Sequence, residues 1–189
     1  HWVLSEKAVY YVSEHGVKFY SLNDERPTSW AFAGKTLWLG TEKGARIFSL
    51  DNDKGINANI TLEKPPKPKL RPESPAALRG TQISIAFGTV LFSRPEGVYR
   101  YIGKNRAVLT ELDPGRGFGT DHYWWVTPGA VFALNQTLSA RQVWDGPVLD
   151  IEPIPTPEYP WLANTNRSLV AIPQQGKVRE IPMSGKLVT

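Results

Sequence analysis

Cysteine is absent from the 189 residues, so disulfide scaffolds and cysteine-ligated zinc sites are excluded. Histidine is scarce, standing only at positions 1, 15 and 122, which leaves imidazole chemistry few candidates. No apolar run approaches the ~18 to 20 residues of a membrane span. The longest compact one, AVYYV at 8–12, is strand-sized. Helical periodicity is poor throughout, and 16 prolines are spread too evenly to leave long helices. Neither sign of charge dominates: 22 Lys plus Arg against 18 Asp plus Glu give +4, too mild to imply a nucleic-acid partner. Gly-x-Ser-x-Gly elbows, Walker loops, His-Glu-x-x-His helices and dinucleotide fingerprints are all missing.

What the sequence does contain is a repeated grammar. Five segments, 9–20, 37–48, 90–101, 123–134 and 161–172, each read as an apolar run, a short polar turn and a second apolar run. Gly16, Gly44, Gly97 and Gly129 mark the first four turns and Arg167 the fifth, with turn length varying by about one residue. Two such runs around a Gly-containing turn predict a β-hairpin, because glycine supplies a positive φ. The markers recur at a mean of about 38 residues, near the ~40 to 45 of propeller blades. Flanking runs at 83–87, 107–112, 140–144, 148–154 and 177–181 add strands, so the third to fifth copies read as four-stranded sheets with the hairpin in the middle. The first two copies are less complete, with only 28 residues between Gly16 and Gly44.

The stretch LWLGTEKGARIFSLDNDKG, Leu37 to Gly55, resembles the repeat of quinoprotein-type and two-component-regulator-type β-propellers. In that repeat a strand ending Gly-Thr is followed by a polar pair, a glycine, a second strand and an Asp-containing turn. The resemblance implies folds whose members bind proteins, sense ligands outside the cytoplasm or scaffold assembly. It implies no bound quinone, since the paired cysteines of quinoprotein dehydrogenases have no counterpart here. The expected fold is therefore all-β, a β-propeller-like array of about five small antiparallel blades across a single domain, 1–189, with a Pro/Lys-rich insertion at 63–77. A β-sandwich is the alternative, since regularly spaced short strands describe one too.

Candidate chemistry is thin. Asp121 and His122 invite an acid/base reading, but adjacent strand residues point to opposite faces. Asp51, Asp53 and Gly55 fall short of a full calcium-ligand series and read as a turn. GRGFG, Gly115 to Gly119, reads as a loop between sheets in which Arg116 could meet an anion. Lys64, Lys67, Lys69 and Arg71 are interleaved with prolines that keep a helix from gathering their charge, giving a linker or a partner-binding segment.

Seven tryptophans remain. Trp38, Trp125 and Trp161 sit in first strands of hairpins, where they pack one sheet on the next. Trp124 and Trp125 face opposite ways and are both buried only if two sheets flank their strand. An exposed tryptophan suits a sugar face or an interface hot spot.

The functional expectation is a non-catalytic binding module, an extracytoplasmic sensor or assembly domain, engaging a protein or small ligand through rim loops at 63–77 and 113–119. Binding candidates are Trp30, Trp124, Arg116, Lys67, Lys69 and Arg71; no metal and no cofactor is expected. Carbohydrate binding by exposed Trp and Tyr is the alternative, and hydrolase or lyase chemistry using His122 a third. A chain that begins at His1 is read as a mature product or a piece of something longer, with a partner or oligomer in view.

Overall fold

The structure is a computed structural model, described for residues 1–33, 35–49, 56–63, 80–119, 123–148, 150–153, 158–159, 161–165, 168–173 and 177–182. All regular structure among them is β. The chain divides into two compact units, His1–Pro114 and Gly115–Thr189.

The first unit opens with a three-stranded antiparallel meander, β1 (Trp2–Leu4), β2 (Ala8–Ser13) and β3 (Gly16–Ser21). A second meander follows: β4 (Pro27–Ala33), β5 (Thr36–Thr41), β6 (Ala45–Ser49) and β7 (Ile56–Leu62). The third comprises β8 (Gln82–Ala86), β9 (Thr89–Arg94), β10 (Gly97–Gly103) and β11 (Arg106–Leu109). The second unit holds two more four-stranded meanders. One is β12 (Arg116–Phe118), β13 (Tyr123–Thr127), β14 (Ala130–Leu134) and β15 (Ala140–Asp145). The other is β16 (Asp150–Pro153), β17 (Trp161–Asn164), β18 (Ser168–Ile172) and β19 (Arg179–Pro182). The described residues are all-β in several antiparallel sheets, as expected, and every expected hairpin joins the second and third strands of its meander.

Three expectations need correction. The second copy has its full four strands; β4 and β7 escape the apolar-run test because Pro27–Ala33 and Ile56–Leu62 mix small and polar residues. The second and third copies are not separate blades. Thr61 and Leu62 pair in parallel with Arg106 and Ala107, giving one eight-stranded sheet. Its end strands approach each other: Thr28 and Ser29 hydroxyls each donate to the Thr81 carbonyl at 2.7 Å, so the sheet is nearly closed.

The turn length is also constant. Each hairpin has two central residues, and position 129 corresponds to Lys43 rather than Gly44. The residue after the turn is Gly16, Gly44, Gly97, Ala130 or Ser168. Gly44 and Gly129 are not in the left-handed region, so another group must hold those turns. Thr41 Oγ1 accepts from Gly44 N–H at 3.1 Å and donates to its carbonyl at 3.2 Å. Thr127 does the same to Ala130 and Thr165 to Ser168.

β5 and β6 are buried along nearly their whole length because both faces are covered, which is why they read as continuous apolar runs. On one face Leu37, Leu39 and Phe48 pack with Val9 and Leu22, against Trp2, Leu4 and Tyr20 of the first meander. On the other, Trp38, Ile47 and Ile60 meet Val90, Phe92 and Tyr99 of the third. In the second unit Trp124, Val126 and Val131 pack on Ile151, Val170 and Ile172.

Candidate functional site

The register of β4 on β5 sets Trp30 opposite Leu39 and Phe32 opposite Leu37, so these four side chains share one sheet face. The first meander covers Leu37 and Leu39 but does not reach across β4. Trp30 and Phe32 are consequently 56% and 52% exposed. Beside them lies β1, an edge strand. An open groove of about 710 Å³ results, with Leu37 at its base, Trp30 and Phe32 along one wall and Trp2, Val3 and Leu4 along the other. That volume falls in the range of ligand sites.

Local bonding fixes both walls. Val12 N–H donates to the His1 carbonyl at 2.7 Å, and the His1 backbone nitrogen donates back to the Val12 carbonyl at 2.7 Å. Antiparallel bonding alternates, so the N–H and C=O groups of Trp2 and Leu4 point away from β2, along the open edge. The Trp2 ring is held edge-on to Tyr11 at 5.0 Å and against Phe48 at 6.4 Å. The opposite wall is set by the turn into β4. Asn23 and Asp24 adopt positive φ (50° and 61°), tolerable for these short polar residues, and Glu25 N–H donates to the Leu22 carbonyl at 3.0 Å. Glu25 then accepts from Thr41 Oγ1 at 3.2 Å.

Polarity changes at one end of the groove. Glu6 and Pro27 also line a second recess of about 560 Å³, which adds Lys7, Asp24 and Arg26. An apolar trough with an unpaired strand edge and a mixed-charge end suits an extended segment carrying apolar and charged residues. It offers no nucleophile–base pair. Among the described residues no three metal-ligating side chains cluster.

Of the residues singled out from sequence, Trp30 is the one in the groove. Trp124 is instead a core residue, 3% exposed, its indole N–H lacking a protein partner. Trp38 and Trp125 are buried as well. Arg116 is exposed on β12, its guanidinium 5.5 Å from the Phe118 ring centroid. The GRGFG loop is thus corrected to a strand: Arg116, Gly117 and Phe118 pair with Val126, Trp125 and Trp124. Lys67, Lys69, Arg71, Asp51, Asp53, Gly55, Asp121 and His122 lie outside the described residues. His15 is solvent-exposed, its Nε2 3.5 Å from Glu14. Phe32, Trp2 and Val3 were missed by sequence reading. The signal was Trp30-x-Phe32, two aromatics on one strand face between small residues.

One titration is displaced among these elements. The Tyr99 phenol is raised above 10.0, first by burial, then by the carboxylates of Glu96 and Glu63, with Arg94 opposing.

No family model and no curated protein sequence matches the chain. Solved structures do resemble it in fold. The extracellular domain of BT4673 from B. thetaiotaomicron, named as a hybrid two component system, aligns with a TM-score of 0.60 at 15% identity, over 97% of this chain and 27% of that one. The corresponding domain of BT3049 from the same organism gives 0.58 at 11% identity, over 93% and 27%. PorZ, a bacterial surface component of the type-IX secretion system of Porphyromonas gingivalis, gives 0.54 at 11% identity, over 98% and 26%. The chain spans about a quarter of the length of these structures.

Proposed function

We propose that the chain is a non-catalytic binding module of an extracytoplasmic sensor or surface assembly, and that it holds an extended polypeptide in the groove beside Trp30. The observation that carries this reading is the pair Trp30 and Phe32, both more than half exposed on the strand face that elsewhere forms core. Exposed aromatics cost little conformational entropy to immobilise and dominate binding at interfaces. Continuity with the outward backbone groups of Trp2 and Leu4 adds main-chain recognition, the mode by which a peptide extends a sheet edge. The fold likeness to extracellular sensor domains and a surface component supports the compartment and the absence of catalysis. This reading moves the contact surface from the rim loops to a strand edge.

A carbohydrate is the weaker occupant, because the groove is lined mostly by apolar side chains, with Ser5 and Glu6 as its polar ones. The test is a peptide array and a glycan array probed with the protein and with Trp30→Ala. Peptides alternating apolar residues are expected to bind, about tenfold or more weaker to the variant, with the melting temperature unchanged. Removing residues 63–77 is expected to leave that binding intact. Hits confined to the glycan array move the reading to a lectin, and equal peptide binding by both proteins removes the groove.

A further inference from the structure

The groove beside Trp30 is apolar except at one end, where Ser5 and Glu6 complete its lining. Glu6 is the one charged residue among the described residues that line it, and it stands at a junction. Together with Pro27 it also lines the polar recess, whose other charges belong to Lys7, Asp24 and Arg26. Among the described residues none of these four charged side chains is ion-paired, so the Glu6 carboxylate has no counter-ion from the chain itself. The turns that carry the charges are nevertheless tied down. Ser5 N–H donates to the Ala8 carbonyl at 2.9 Å, Ser5 Oγ accepts from Ala8 N–H at 3.1 Å, and Leu22 N–H donates to the Lys7 carbonyl at 2.9 Å. Across the recess Glu42 N–H donates to the Arg26 carbonyl at 3.3 Å. Glu6 therefore sits on backbone whose position is set before a ligand arrives, which lowers the ordering cost of binding.

Glu6 also continues the alternation of β1. Trp2 and Leu4 turn their N–H and C=O groups to the open edge and their side chains toward Leu37 and Phe48. The next position of that alternation is Glu6, just past the strand end. A segment laid along the edge sets two alternate side chains opposite Trp2 and Leu4, over the trough, and its next side chain on that face at Glu6. Opposite charges facing each other across paired strands attract, and like charges repel. We infer that Glu6 sets the specificity of the groove: it selects an extended segment with a Lys or Arg two positions beyond a pair of apolar residues that are themselves two apart. This rests on the peptide reading above and adds to it the sign of the charge and its place. An acidic residue at that place meets Glu6 without compensation, since Lys7 and Arg26 line the recess and not the groove. The spacing is the same whichever way the segment runs, because side chains alternate with a period of two in either direction.

The test is a charge swap on the 189-residue chain. Peptides of the pattern apolar-x-apolar-x-Lys, and the same peptides with Gln or Glu in place of Lys, are made in both chain directions. Each is titrated against the parent chain, Glu6→Gln and Glu6→Lys. Glu6 is exposed on a turn, so the circular dichroism of both variants is expected to match that of the parent. The parent should bind the Lys peptide about two- to fivefold more tightly than the Gln peptide, and the Glu peptide least tightly. That preference is expected to vanish in Glu6→Gln and to reverse in Glu6→Lys, an exchange that a merely structural role for Glu6 does not produce. It should also shrink in about 1 M salt, where screening acts within ~3 Å. Equal affinity of the parent for all three peptides overturns the inference and leaves the groove standing, as does a preference for Lys that survives in Glu6→Lys. Binding of no peptide, or binding that Trp30→Ala leaves unchanged, removes the groove reading and this inference with it.

Discussion

A hydroxyl at the end of the second strand closes its hairpin by bonding one residue twice, accepting from the N–H and donating to the C=O three positions on. Thr41, Thr127 and Thr165 all do this, and all three are buried. Thr41 is the most committed, since its single hydroxyl hydrogen is shared between the Gly44 carbonyl and Glu25 Oε2, each 3.2 Å away, and its carbonyl accepts from Thr81 N–H at 3.0 Å. Replacing it by valine keeps the shape and leaves the Gly44 N–H without its acceptor. Thr41→Val is expected to cost about 1 to 3 kcal/mol in urea unfolding, and Thr41→Ser to restore most of it. Ser13 makes the analogous bond to Gly16 at 3.3 Å in the exposed first hairpin. There water substitutes for the lost partner, and Ser13→Ala is expected to stay within about 0.5 kcal/mol.

Among the elements, the seam between β4 and β8 depends on a missing side chain. A Cβ on Gly40 would strike the Thr81 carbonyl and the Ser29 hydroxyl. Those atoms are already engaged: the Thr81 carbonyl accepts from Thr28 and Ser29, and Ser29 Oγ accepts from Ile83 N–H at 2.9 Å. Gly40→Ala must therefore push backbone aside, an overpacking cost of about 1 to 3 kcal/mol. The check is hydrogen exchange at the Thr81 and Ile83 amides, expected to speed up more than exchange in β9 and β10. The Gly-Thr pair visible in the sequence as a strand end thus has two jobs, a close approach at Gly40 and a turn clamp at Thr41. Hairpin strands were legible because burial on both faces leaves unbroken apolar runs such as Leu37–Leu39 and Val90–Phe92. Several flanking strands of the third to fifth meanders, such as β8, β11 and β15, were legible too, but β4 and β7 were not, because small and polar residues interrupt them: β7 alternates Asn57, Asn59 and Thr61 with Ala58, Ile60 and Leu62. The groove was legible at Trp30 alone. Its other wall comes from β1, some 25 residues earlier, and only the pairing of β4 on β5 places Trp30 and Phe32 on the face turned toward it.

At the scale of the molecule, the titration of Tyr99 ties stability to alkaline pH. Its phenol sits in the core between the second and third meanders, and burial together with Glu96 and Glu63 disfavours the phenolate. The folded chain therefore keeps this proton at a pH where the unfolded chain has begun to release it. Stability from this group is complete below the unfolded value of 10.0 and declines as pH climbs from there through the raised folded value. The slope contributed by one proton is at most about 1.4 kcal/mol per pH unit. Below 10.0 the same group contributes no pH dependence, so a loss of stability toward acid must come from elsewhere. The urea midpoint is accordingly expected to hold steady up to about pH 9.5 and to fall beyond it. Tyr99→Phe removes the ionisable oxygen and keeps the ring, so its curve should be flatter over that range. Because Tyr99 belongs to the first unit, the effect should be seen in probes of His1–Pro114. A Tyr99→Phe curve parallel to that of the parent would mean that the alkaline response arises from other groups and that burial does not hold this proton.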